Sequence, residues 1–307
     1  MRNERLQSNW KIFKKQRMLF LFLLPAIVTL LVFSYTPMMG LIMAFQDYKV
    51  ALGFSGSPFV GLKNFEAFLR APDFYNALKN TLGISILSIV FGFPAPIVLA
   101  LLIDEVPGTR FKRFCQTITY LPHFVSWVIL ATLAYRLLDI DSGIVNLILS
   151  KIGLQPIAFM RESALFWPIL IVISIWKEIG WNSIIYLATI SNLDPGMYDS
   201  AKVDGAGRFK RMFYITLPSL APIFSLMFIL NLGTLFRVNF DAVFNLMNPM
   251  VMDSAEVIDT FVYRMGIKLG RYSYATAIGF AQSAISFILV YFSYRYSKIL
   301  NDGDNGL

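Results

Sequence analysis

Long apolar runs alternate with shorter polar stretches along this chain, and the lengths of the runs are those of membrane spans. A helix needs about 20 apolar residues to cross the hydrocarbon core of a bilayer. Residues 18–45, 80–103, 114–135, 215–236 and 272–294 each reach that length without a charge. A sixth run, 163–193, is long enough but carries Lys177 and Glu178 near its middle. The pattern predicts an all-α polytopic membrane protein with six transmembrane helices. The first run has 28 uncharged residues, whereas a cleavable signal has an apolar region of only about 7–15. No small-residue cleavage site follows it, so it reads as a retained span.

Composition agrees with the pattern. Of 307 residues, 56% are hydrophobic and 15% charged, against roughly 25% charged in a soluble domain. A single cysteine, Cys115, excludes an internal disulfide and a cysteine-rich metal site. A single histidine, His123, argues against histidine-based metal or triad chemistry. No catalytic or metal-ligating set emerges. The net charge of +8 fits a cytoplasmic excess of Lys and Arg better than a nucleic-acid partner.

Charge placement then sets the orientation. With the N-terminus inside, the inner segments hold 15 Lys and Arg and the outer segments 11. Acids run the other way, 8 inside and 10 outside. The sharpest contribution is the first 17 residues, with six basic side chains and one acid. Both termini are therefore expected in the cytoplasm. The division is a cytoplasmic segment 1–17, a transmembrane domain 18–296 and a cytoplasmic tail 297–307. The outer stretch 47–79 repeats Phe and Leu at short spacing. That suits either a short amphipathic surface helix or an interfacial aromatic belt.

One inner segment, "DPGMYDSAKVDGAGRFKRMFYITLP", is too long and too particular for a connector. Asp194 before Pro195 reads as a helix start, with a capping carboxylate and proline at the first helical position. Gly205, Ala206 and Gly207 read as its end. Arg208, Lys210 and Arg211 follow, suited to the negative end of the helix. A second amphipathic piece, 209–217, leads into Pro218. Small side chains in the middle admit a close surface, and the surrounding charges orient it. A docking element fits this pattern; a turn packed on its own bundle is the alternative.

The same residues resemble the EAA motif of ATP-binding-cassette importer permeases. That pattern is Glu-Ala-Ala, three residues, Gly, nine residues, then Ile-x-Leu-Pro. Here it reads Asp199-Ser200-Ala201, Gly205, and Ile215-Thr216-Leu217-Pro218, with the spacings kept. Asp204-Gly205-Ala206 matches a frequent extension of the motif. Asp at 199 and Ser at 200 are departures that neither remove charge nor add bulk. "FVGLKNFEAFLRAPDFYNALKNTL" (59–82), "YLPHFVSWVI" (120–129) and "IWKEIGWNSIIYLA" (175–188) are similar to sugar-importer permeases. "LLPAIVTLLVFSYTPMMGLIMAFQDY" (23–48) resembles the subgroup that imports oligosaccharides from complex polysaccharides.

The resemblance implies a type I ABC importer permease-like fold in a bacterial plasma membrane. It implies a second, paralogous permease subunit, a cytoplasmic ABC ATPase dimer, an extracytoplasmic solute-binding protein and a carbohydrate substrate. The chain has no G-x-x-x-x-G-K-[ST] loop to cradle phosphates, so ATP and its magnesium are expected on the partner ATPase. The loop 194–217 would couple the two. Asp199, Ser200, Ala201, Asp204, Gly205, Ala206 and Arg208 are the implied contact residues.

For the substrate path the candidates are Lys177, Glu178, Trp181, Asn182 and Tyr186, with Asn231 and Gln282 as weaker ones. An ionised group at mid-membrane costs about 2.5–3.5 kcal/mol on insertion scales, so it faces protein or water. Aromatic rings and amides suit sugar C–H faces and hydroxyls. The alternative is that Gly180 breaks the helix and the Lys177–Glu178 pair does structural work. Asn231 and Gln282 suit interhelical hydrogen bonding equally well. His123 beside Pro122 reads as a residue that satisfies a kink, and Pro94 and Pro96 predict a bent second span. Two rival classes remain at this level. An ion-coupled secondary transporter would leave the thin-waisted loop without a role. A membrane glycan-processing enzyme would need carboxylates such as Asp139/Asp141 or Asp253/Glu256, which lie in no recognisable catalytic pattern.

Overall fold

The computed structural model describes residues 16–304, so the segment 1–17 lies almost wholly outside the described residues. Four helices are long and apolar enough to span a membrane: Leu21–Phe45, Pro72–Asp104, Ser163–Ser191 and Tyr272–Arg295. Two further runs of the sequence pass that test only as bent pairs. The described residues are mostly helical; the extended pairing among them is one bridge between Gln46 and Phe59.

The first span is α1 (Arg17–Leu30), continued through a π-turn (Leu31–Tyr35) and a 3-10 turn (Met39–Phe45). Its apolar side chains are exposed all round, and only the Met39–Phe45 end packs against the last helix. An unclothed apolar helix of this kind belongs in lipid or against another subunit. Next comes α2 (Lys63–Leu69), whose Phe68 is buried against Phe74 at a ring separation of 4.7 Å. The stretch is a short amphipathic helix: Phe68 anchors it to the bundle, while Lys63, Glu66, Ala67 and Leu69 are exposed.

The second span begins at Pro72, eight residues before the uncharged run does. Asp73 and Lys79 lie in its opening turns. It runs as α3 (Pro72–Leu87), a π-turn (Ser88–Gly92) and α4 (Pro94–Asp104). The π-turn absorbs the N–H missing at Pro94, which keeps the span continuous.

The run 114–135 is not one straight helix. α5 (Thr109–Tyr120) and a short 3-10 turn (Leu121–Phe124) meet α6 (Trp127–Leu137) at 98°. Ser126 opens α6 as its cap, accepting from the Ile129 N–H at 3.4 Å. After α7 (Ile144–Lys151), the central helix α8 (Ser163–Ser191) runs 29 residues without interruption, so Gly180 does not break it. It packs chiefly along α4.

The segment that follows holds α9 (Pro195–Val203) and α10 (Arg208–Arg211). The helix from Arg208 continues to Ser219 and meets α11 (Ala221–Gly233) at 58°. The segment after α11 is no floppy outer loop. Its helices α12 (Phe240–Leu246) and α13 (Ile258–Tyr263) bury Val243, Leu246 and Phe261. Asn80 of α3 donates to the carbonyls of Asp253 and Glu256 at 2.8 and 2.9 Å. The buried Glu256 takes two bonds from the Arg264 guanidinium, at 2.6 and 2.7 Å. The last helix, α14 (Tyr272–Asp304), carries the backbone into the tail, past the boundary drawn at 297.

Candidate functional site

Local chemistry builds the loop 194–211. Asp194 accepts the Gly196 N–H at 2.9 Å and starts α9, with Pro195 at its first position. At the far end Gly205 adopts φ +76°, a left-handed conformation that side chains disfavour. The Ala206 N–H reaches back to the Ala201 carbonyl at 2.8 Å, and the Gly205 N–H to Lys202 at 3.0 Å. Those two bonds are the Schellman closure of a helix. A side chain at Gly205 would meet nothing within 4 Å, so the glycine serves the turn and leaves an open face.

That face is mixed in character. Val203 is 89% and Phe209 74% exposed, beside exposed Asp199, Ser200, Asp204 and Arg208, while Ala201 and Ala206 are half-buried. Lys202 donates to Asp199 at 2.8 Å; that bond and the charges of Lys202 and Arg211 hold the carboxyl below its usual range. Two contacts fasten the loop to the bundle. Tyr198 shares a 2.8 Å hydrogen bond with the buried Thr216 hydroxyl, and Arg208 lies 3.9 Å from Glu105 at the end of α4. All seven residues singled out from sequence therefore sit on or beside one short helix-turn-helix.

A second candidate site lies within the bundle. The π-turn Ser88–Gly92, α4, α8 and α11 line a cavity of about 730 Å³, which includes Glu178, Trp181, Asn182, Tyr186 and Asn231 in its wall. Trp181 is 43% exposed there, whereas Tyr186 is buried in the wall. An adjoining cavity of about 310 Å³ shares Ser88, Ser174, Glu178 and Asn231 and adds Arg237 and Asn239. Trp and Tyr rings among amides and hydroxyls form a surface suited to a sugar.

Two sequence candidates lie elsewhere. Lys177 is 6% exposed and does not line either cavity. Its ammonium donates to the carbonyls of His123 and of Val125, the latter at 2.8 Å, and lies 5.9 Å from the Trp127 ring centre. Those carbonyls are freed where α5 turns into α6, so Lys177 fastens the 98° bend. Gln282 donates to the Phe236 carbonyl and lies 3.4 Å from Asp259, joining α14 to the end of α11.

Helical geometry explains the split between neighbours. Successive residues point about 100° apart. Lys177, Gly180 and Ser183 form one buried stripe, with Gly180 against Thr119 and Tyr120. Glu178, Trp181, Asn182 and Tyr186 form the cavity stripe. A Cβ built on Gly180 would lie 1.9 Å from the Thr119 carbonyl oxygen, so the two backbones touch there.

The protein family follows from comparison. Residues 92–298 match the family described as binding-protein-dependent transport system inner membrane component. The chain belongs to this family. Among relatives of this permease, the polygalacturonan/rhamnogalacturonan transport system permease protein YteP of Bacillus subtilis (strain 168) is 43% identical over 284 residues, covering 92% of this chain and 88% of that one. Protein LplB of the same organism is 40% identical over 278 residues, covering 91% and 87%. Among solved structures, a bacterial ABC transporter involved in the import of the acidic polysaccharide alginate aligns at a TM-score of 0.88 with 40% identity. That alignment covers 95% of this chain and 98% of the other. A second structure of the bacterial alginate ABC transporter, in complex with alginate pentasaccharide-bound periplasmic protein, aligns at 0.87.

Two residues of this permease escaped the sequence reading as site residues. His123 stacks flat on Trp181, ring centres 4.3 Å apart, and its Nδ1 lies 2.7 Å from Glu178 Oε2. Its place on the first bent helix pair, 55 residues before Glu178, gave no periodic signal. Arg237 follows an apolar run and looked like an ordinary outer-loop charge. Among the described residues no cluster of three His, Cys, Asp or Glu side chains is placed to hold a metal.

Proposed function

We propose that this permease forms the translocation path for an oligosaccharide delivered by an extracytoplasmic binding protein, powered by a separate ATPase that docks on the loop 194–211. The observation that carries the reading is the likeness over nearly the whole chain to an alginate importer, at 40% identity and a TM-score of 0.88. The names of YteP and of the alginate importer both concern polysaccharides, and the cavity's indole, phenol and amide groups suit such a ligand.

In this scheme each bent helix pair counts as one crossing, which gives six spans and leaves both termini in the cytoplasm. A second permease subunit, of different sequence, completes the path and covers apolar surface that this chain leaves bare. Each permease inserts its loop helix into a groove on one ATPase subunit. ATP and magnesium are held there, and closure of the ATPase dimer is transmitted through α9. Asp199 and Arg208 orient the contact, and the flat surface at Ala201, Gly205 and Ala206 lets it seat closely. The tether from Tyr198 to Thr216 passes motion directly to the root of the next helix.

Uptake of labelled oligosaccharide by cells lacking this chain tests the scheme. Uptake falls to background and returns when the full chain is supplied with its partners, and removing the ATPase has the same effect. Uptake that survives without the ATPase and collapses with a protonophore identifies an ion-coupled transporter instead.

A further inference from the structure

Charge in the two adjoining cavities is unevenly compensated. The ionisable side chains in their walls, apart from the Tyr186 phenol, are Glu178 and Arg237. Glu178 is answered within the fold: His123 Nδ1 lies 2.7 Å from one oxygen and Lys177 Nζ 3.8 Å from the other. Arg237 is not answered in the same way. Its guanidinium reaches the Ser283 hydroxyl at 3.5 Å, the outer limit of a hydrogen bond. Asp259 is within electrostatic reach but beyond ion-pair distance, and its own oxygens face Gln282 Nε2 and the Val238 N–H, each at 3.4 Å. The wall thus offers one neutralised acid and one cation with donors to spare.

We infer that Arg237 is a specificity-determining residue that selects an acidic oligosaccharide by pairing with the carboxylate of a uronate unit. This rests on the oligosaccharide reading above and narrows it. A guanidinium presents a planar fork of N–H donors that matches a carboxylate with two parallel bonds, and such charge-assisted bonds are about twice as strong as neutral ones. The residue is held in place by backbone: its own N–H donates to the Thr234 carbonyl at 2.8 Å, in the turn that ends α11. Asn231, six residues earlier, belongs to both cavities, and Arg237 lines the second of them.

The test uses the complete transporter, with its ATPase and binding protein, in proteoliposomes. The probes are trigalacturonate and its methyl ester, which share a backbone and differ in charge. The readout is the ratio of acid to ester uptake. Wild type prefers the acid. Arg237→Gln lowers the ratio about tenfold, the equivalent of losing one charged hydrogen bond, and Arg237→Lys restores part of it. Because every variant uses the same binding protein, a change in the ratio belongs to the permease. If Arg237→Gln lowers both uptakes together, Arg237 is a structural or subunit-interface residue and the inference falls. An unchanged ratio overturns it equally. Wild type that carries the ester as well as the acid defeats the inference but leaves the oligosaccharide reading standing; wild type that carries neither defeats both.

Discussion

Gly180 and Gly205 occupy the two regions that matter most here, and they are glycine for opposite reasons. At Gly180 the backbone is ordinary helix and space is lacking: an added Cβ meets the Thr119 carbonyl at 1.9 Å. At Gly205 space is unlimited and the backbone is special, with φ +76° and no atom within 4 Å. The first glycine serves the interior of this chain, where helices approach closely through small residues. The second shapes an exposed turn, the surface proposed to receive the ATPase. A finished contact and an open one lie 25 positions apart on the same helix-loop unit.

Substitutions sharpen the contrast. The largest effect is expected at Gly180→Leu, where the obstacle is backbone and no flexible side chain can yield. Overpacking of this kind costs about 3 kcal/mol or more, and the permease should fail to accumulate in membranes. Wild-type abundance for that variant would mean that α8 and α5 are not in contact. Next is Lys177→Met, which strips the His123 and Val125 carbonyls of their donor at the bend. Leaving buried acceptors unmet costs about 1–3 kcal/mol, and thermal unfolding in detergent should shift downward. Lys177→Arg should recover part of the shift.

The open region responds differently. Gly205→Trp forces a side chain into the left-handed region, a strain of about 1–2 kcal/mol confined to a loop. The chain should accumulate normally while uptake falls to background and ATP hydrolysis no longer tracks substrate. Normal transport by that variant would remove Gly205 from the proposed contact. The smallest effect is expected at Asp194→Ala, which deletes the cap on α9 and costs about 1 kcal/mol. Uptake should drop by a few-fold with unchanged abundance.

Much of the loop was legible in the sequence because its signals are local. Asp194-Pro195 and Gly205 name the ends of α9 through capping and handedness, and the structure places both ends there. The bent runs were not legible. An uncharged run of 22 residues, 114–135, reports that the segment is apolar, and nothing in hydropathy separates a straight helix from two at 98°. Pro122 hinted at a kink, but the ammonium that meets the carbonyls at the bend, Lys177, comes from a helix far along the chain. The start of the second span was read late for the opposite reason. Asp73 and Lys79 ended the uncharged run, yet a helix continues past a bilayer surface at little cost.

In the cavity, the wrong member of a pair drew equal attention. Lys177 and Glu178 looked alike as mid-span charges, and one step of 100° sends them to different surfaces. Grouping 177 with 180 and 183, and 178 with 182, would have separated them from sequence alone. Arg237 and His123 needed the fold: Arg237 joins the second cavity from the end of α11, and His123 meets the cavity residues Glu178 and Trp181 from an element that carries no periodic polar signal.

The central claim is that the exposed surface around Val203 and Phe209 is a contact site for a motor protein. A photoreactive amino acid in place of Phe209, in otherwise native membranes, tests it most directly. Irradiation should join this chain to a nucleotide-hydrolysing subunit, and the product should be identified by mass spectrometry. Efficient crosslinking to lipid or to this chain's own helices, with no ATPase in the product, would contradict it.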